Sequence, residues 1–176
     1  MKLPAAKLEE LRRLCKGGVV PEWPAPESYE VFDIEAEIRG TIEGELESRS
    51  SAEVTPHRRA FFGISTINEV VKGDGLATGV ALNDPSLLHL AIEGAKLMGL
   101  AALEKVLNKA KTAFPPEDTW KSFEQREKWF ATEEGEAAAE ALNAMDEEFD
   151  DCEGEGFVNA CLLFALANPE EFFEKA

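Results

Sequence analysis

From Trp129 to Glu174 the chain carries 14 acidic side chains and not one Lys or Arg. Carboxylates at this density can hold a cation, act as a general acid and base, or form an extended negative surface for a basic partner. The densest group is Asp146, Glu147, Glu148, Asp150, Asp151, Glu153 and Glu155, preceded by Glu133, Glu134, Glu136 and Glu140. Read as a calcium loop from Asp146, the run has acids at the first, third and fifth positions. It then puts Asp151 where such a loop needs glycine and Phe157 where it needs a bidentate glutamate. At most a weak, nonspecific cation site is expected. A glycosidase pair needs a cleft and one desolvated acid, and nothing in the sequence marks either.

Other candidates for chemistry are sparse. His57 stands at a helix start beside Arg58 and Arg59, and His89 lies in a Leu-rich helix. Neither has the HExxH context that would complete a metal site. Ser65 lies in Gly63-Ile64-Ser65-Thr66-Ile67, which lacks the second glycine of a nucleophile elbow. Gly73-Asp74-Gly75 is too short for a phosphate loop. Cys15, Cys152 and Cys161 are odd in number and widely spaced, so neither a zinc site nor a disulfide framework is expected. The expectation is a protein with no catalytic residues, no cofactor and no metal site, and not an enzyme.

The remaining use of the acids is their field. The 176-residue chain has a formal net charge of −17, and it is lopsided. Residues 1–116 hold 14 basic and 17 acidic side chains, whereas residues 117–176 hold 4 and 18. A second acidic run, Glu22 to Glu53, has 10 acids against Arg39 and Arg49. A like-charged nucleic acid is a poor direct partner. No apolar window of membrane-spanning length and no signal-peptide pattern is present, and with unpaired cysteines the expected home is the cytoplasm. A charge run usually only solvates a face. Here the lack of any counter-charge over 46 residues argues for more, because like charges at helical i,i+4 spacing each cost a few tenths of a kcal/mol.

The elements that must position these acids read as helices. Leu8, Leu11 and Leu14 mark one from Pro4 to Lys16, stopped by Gly17-Gly18. Tyr29 to Leu46 is ambiguous: Phe32, Ile34, Ala36 and Ile38 alternate as in a strand, while Ile34, Ile38, Ile42 and Leu46 recur at i+4 as in a helix. The length favours helix. Thr55-Pro56 starts a helix that runs to the Gly73–Gly75 turn, and Asn83-Asp84-Pro85 starts another, ended by Gly99. A helix from Leu100 to Phe114 pairs with it as a hairpin. Trp120, Phe123 and Phe130 mark the next. Thr132 then caps a helix with the face Ala138, Ala141, Leu142, Met145 and Phe149, followed by a loop from Asp150 to Gly156. Phe157 to Ala167, apolar almost all round, reads as the central buried helix. A last turn follows Asn168-Pro169. The expected fold is all-α, a single-domain helical bundle of about seven helices.

Several segments then carry a resemblance. They are Ile67-Asn68-Glu69-Val70-Val71-Lys72-Gly73, the Leu87–Phe114 helix pair with its Met98-Gly99 junction, Leu142 through Phe149, and the apolar helix before Asn168-Pro169-Glu170-Glu171-Phe172-Phe173. In order and spacing, residues 54–176 resemble a bacterial family of small acidic helical proteins whose known members are DNA mimic proteins. Residues 1–53 form an N-terminal extension outside the resemblance. The stretch Leu76 to Leu82 departs from it by lacking aromatic residues. The resemblance implies a homodimer that presents carboxylates like DNA phosphates and blocks the DNA-binding face of a basic transcription factor or histone-like protein. The eleven acids from Glu133 to Glu155 would be the contact set. A different acidic interaction module, such as an immunity-type inhibitor of a basic toxin, is the alternative.

Overall fold

The computed structural model describes residues 1–82, 86–114, 122–153 and 156–175. Among these it contains ten α-helices: α1 (Ala5–Leu14), α2 (Pro26–Ser48), α3 (Pro56–Leu82), α4 (Ser86–Met98), α5 (Ala101–Lys111), α6 (Phe123–Phe130), α7 (Glu133–Asn143), α8 (Asp146–Glu153), α9 (Gly156–Ala167) and α10 (Pro169–Phe172). The described residues hold no strand, only an isolated parallel bridge between Leu3 and Phe173. The all-α expectation holds. The start signal at Asn83-Asp84-Pro85 and the marker Trp120 lie outside the described residues.

The ambiguous segment is helix, and two side chains show why. A strand would place Phe32 and Ala36 on the same face as Ile34 and Ile38, whereas a helix separates them. Phe32 and Ala36 are exposed, while Val31, Ile34, Ile38 and Ile42 are buried. Burying each of those four contributes about 1.5–3 kcal/mol, which outweighs the ~1 kcal/mol that Gly40 and Gly44 each cost a helix.

The central helix is α3, which packs against α2, α4, α6, α7, α8, α9 and α10. This corrects the central place expected for Phe157 to Ala167. Helix α9 buries Phe157, Cys161, Leu162 and Ala165, but Leu163 is exposed and Phe164 half-buried. Its neighbours α1, α2, α3, α8 and α10 cover only its inner sides. Helix α3 gains its place partly from glycine. A Cβ on Gly63 would stand 2.4 Å from the Leu90 carbonyl carbon, and one on Gly94 would stand 2.7 Å from the Ala60 carbonyl oxygen. The α3 and α4 backbones therefore touch where both residues lack a side chain.

The first 50 residues share this core. Leu11, Val31, Ile34, Ile38 and Ile42 pack in one cluster with Phe61, Ile64 and Phe172. Buried Arg58 ties three segments: its Nε donates to Glu45 (3.0 Å), one Nη to the Glu171 carbonyl and the other to the Met1 carbonyl (both 2.7 Å). The Leu3 amide donates to the Phe172 carbonyl at 3.0 Å, and the Glu174 amide to the Leu3 carbonyl at 2.8 Å.

Two boundaries differ from the sequence reading around the acids. The run from Thr132 to Phe149 is not one helix: it breaks at Ala144-Met145 into α7 and α8. The loop expected from Asp150 is helical through Glu153. Met145, Phe149 and Cys152 recur at i, i+4 and i+7, an inward stripe that the surrounding acids obscure. Met145 and Phe149 are buried and Cys152 is half-buried.

Candidate acidic interface

Two short helices in sequence position most of the acids. Thr132 caps α7 by accepting a hydrogen bond from the Gly135 amide at 3.1 Å, and Leu142 holds the inner side of that helix. Glu133, Glu134, Glu136 and Glu140 are all exposed. Met145 and Phe149 hold the inner side of α8, and the Phe149 ring meets Phe157 of α9 edge-on, with centroids 5.4 Å apart. This leaves Glu147, Glu148, Asp150 and Asp151 exposed. Glu147 shares one outward stripe with Asp150 at i+3 and Asp151 at i+4. Glu133, Glu134 and Glu136 lie in the first turn of α7, and Asp146, Glu147 and Glu148 in that of α8. Unpaired amides there favour negative charge by roughly 0.3–1 kcal/mol each, which offsets part of the mutual repulsion.

Not every predicted acid faces solvent freely. Asp146 is half-buried, and its carboxylate accepts the Leu76 amide at 2.9 Å. Leu76 follows Gly75, whose φ of 75° breaks α3 at the turn the sequence marked. Winding then resumes, with Leu76, Ala77 and Val80 buried, and Asp146 satisfies a donor at the fresh helix start. Glu148 is ion-paired with Lys109 of α5 at 2.5 Å. Glu153 ends α8, and Glu155 lies outside the described residues. The seven that remain are Glu133, Glu134, Glu136, Glu140, Glu147, Asp150 and Asp151. No ion pair joins them to a basic side chain among the described residues.

In the upstream acidic run about half of the α2 acids are met by basic groups. Glu30 pairs with Arg13 at 2.9 Å, Glu37 with Lys7 at 3.0 Å, and Glu45 with Arg58 and the N-terminal ammonium. Glu35 is buried, accepts a hydrogen bond from Ser65 and stands 3.8 Å from Arg39 Nε. Burial pushes its carboxyl above the usual range, although Ser65 and Arg39 pull the other way and Glu69 adds to the rise. Arg39 also pairs with Glu69, inside the segment that carries the family resemblance. Sequence reasoning did not single out Glu35 or the buried Arg58 and Arg126. The position of Glu35 among Val31, Ile38 and Ile42 on the inner face of α2 was the available signal.

The residues weighed for catalysis are not brought together. His57 stacks on Phe164 with centroids 5.5 Å apart, and His89 Nδ1 stands 3.2 Å from Lys111 Nζ. Ser65 is engaged by Glu35. Cys15, Cys152 and Cys161 are all free thiols, and burial pushes the Cys161 thiol well above its usual value, with Glu35 adding to the effect. Among the described residues no cluster of three or more His, Cys, Asp or Glu could hold a metal ion, and no helix is long and apolar enough to cross a membrane.

Comparison with known proteins gives one relationship. Neither the curated proteins nor the solved structures provide a match. A family model described as DMP19-like protein matches residues 52–168, from just before α3 to just after α9. The matched span holds α7, α8 and the central helix that carries them, and it covers well over half of the chain: the protein belongs to the DMP19-like family.

Proposed function

We propose that the chain is a DNA mimic whose α7–α8 carboxylates occupy the DNA-binding face of a basic protein, a transcription factor or histone-like protein, and keep that protein off DNA. The observation that carries this reading is the contrast between the two acidic runs. On α2, Glu30, Glu37 and Glu45 are met by basic groups of other segments and alternate with the unpaired Glu27, Asp33, Glu43 and Glu47, whereas on α7 and α8 only Glu148 is so met and seven exposed acids have no such partner among the described residues. Family membership supports it, since the family takes its name from DNA mimic proteins.

The physics is that of phosphate recognition. Side chains three or four apart on a helix stand about 5–6 Å apart at Cβ, similar to successive phosphates along one strand. A protein that binds duplex by neutralising phosphates with Lys and Arg gains much of its affinity from that sequence-independent charge. An array with the same spacing draws on the same basic groups. The protein acts by binding, not by chemistry, in the cytoplasm, and as a homodimer it would match the two-fold symmetry of many DNA-binding partners. The test is affinity capture from bacterial lysate, followed by measuring whether the captured DNA-binding proteins release labelled duplex as the chain is added. Capture of proteins that keep their duplex throughout would reject the reading.

A further inference from the structure

Outside the matched span, the outer face of α2 and the turn before it display aromatic rings that none of the described segments covers. Trp23 is 62% exposed, Tyr29 53% and Phe32 38%. The three form one cluster, with the Trp23 ring centroid 4.7 Å from that of Tyr29 and 6.3 Å from that of Phe32. Single exposed apolar side chains are ordinary, but grouped aromatic rings at a surface mark a binding site. Along the same face the helix continues with exposed Ala36, Gly40 and Gly44. A Cβ on either glycine would meet nothing within 4 Å, so another backbone has room to approach closely.

The rim of this face is acidic. Asp33, Glu43 and Glu47 are exposed, with no ion pair to a basic side chain among the described residues. Arg39 does not offset them, because it is turned to Glu35 and Glu69. We infer that this face docks a cationic amphipathic helix of a partner protein. The apolar side of that helix packs on Trp23, Tyr29 and Phe32, and its Lys or Arg side chains lie along the carboxylates. Charge complementarity selects this occupant, since a second copy docked through this same face would set its Asp33, Glu43 and Glu47 against their own counterparts. Trp and Tyr faces also attract Lys and Arg directly through the ring quadrupole. This inference does not rest on the DNA-mimic reading, which concerns α7 and α8.

The full-length protein is titrated with two labelled synthetic helical peptides of equal positive charge, followed by fluorescence anisotropy. One has leucines along one face, and the other has glutamines in their place. At about 1 M salt, where the screening length is about 3 Å, generic charge attraction is suppressed. The leucine peptide is then expected to bind at least about tenfold more tightly than the glutamine peptide, and the triple variant W23S/Y29S/F32S to lose that advantage. All three positions are exposed, and circular dichroism checks that the fold is kept. The variant D150N/D151N should bind the leucine peptide as the wild type does. Unchanged binding by the triple variant, or an equal loss in D150N/D151N, overturns the inference. So does sedimentation in which the wild type self-associates, the triple variant does not, and the peptide fails to displace the second copy.

Discussion

The carboxylate of Asp146 accepts a hydrogen bond at 2.9 Å from the backbone amide of Leu76, seventy positions earlier in the chain. This contact joins the first turn of α8 to the break in α3. A Cβ on Gly75 would stand 2.9 Å from Asp146 Oδ2, so the positive φ and the lack of a side chain at Gly75 both serve the contact. One acid of the run thus fixes the helix that displays Glu147, Asp150 and Asp151. A preorganised array binds with less ordering cost than a mobile one.

The structure therefore separates acids that hold the fold from acids that face outward. Asp146→Ala is expected to destabilise the protein by about 1–2 kcal/mol in urea denaturation, as for loss of a helix cap. Asp146→Asn, which keeps an accepting oxygen, should retain most of that stability. Asp150→Asn with Asp151→Asn should cost nothing, because removing exposed like charges relieves repulsion. Equal losses in all three variants would show that Asp146 is just another surface acid.

Glu45 sets a pH dependence of one sign. Burial favours its neutral form, but the hydrogen bond from the N-terminal ammonium and the attraction of Arg58 outweigh that and hold the carboxyl below its usual value of 4.5. Its contribution to stability is therefore present above about pH 4.5 and is lost as pH falls through the lowered folded value. Glu45→Gln should cost about 1–3 kcal/mol at pH 7, typical of a hydrogen bond to a charged group. Urea melts of both proteins should converge as the pH is taken below 4.5. A difference that is constant with pH would place the effect in packing.

Glu35 sets the opposite sign. Burial, the largest influence, raises its folded value, so the folded state binds the proton more tightly than the unfolded chain. The charged form is penalised at neutral pH, and the penalty is relieved as pH falls through the raised folded value. Glu35→Gln mimics the protonated form. It should be more stable than the wild type by about 1 kcal/mol at pH 7, as when a buried charge is replaced by a neutral group. That gain should vanish below the usual value of 4.5. A variant less stable than wild type at neutral pH would mean that the bonds of Glu35 to Ser65 and Arg39 outweigh its burial.

The contrast between Glu35 and Glu147 shows what the sequence makes legible. Periodicity gives the all-α class, the Thr132 cap and the buried stripe of Met145 and Phe149, because each is a local pattern. It also marks the acids as a group, because charge can be counted. Which acids turn inward is a tertiary matter. Asp146 and Glu147 are neighbours in one helical turn, and only the approach of Gly75-Leu76 distinguishes them. Likewise Glu45 reads as one acid in a run of ten, and only the arrival of Arg58 and the N-terminus neutralises it. The all-round apolarity of α9 misled for a related reason. A helix covered on every side and one with a solvent edge at Leu163 differ by very few side chains.

The most direct test is a competition titration on a histone-like protein or a captured DNA-binding partner carrying labelled cognate duplex, at salt concentrations of about 0.05 and 0.2 M. The DNA-mimic reading predicts that the chain and the duplex exclude each other, and that displacement weakens steeply at the higher salt. It also predicts that Glu147→Gln, Asp150→Asn and Asp151→Asn together reduce displacement by about tenfold or more while thermal unfolding stays unchanged. A stable complex in which the partner holds the chain and its cognate duplex at the same time would contradict it.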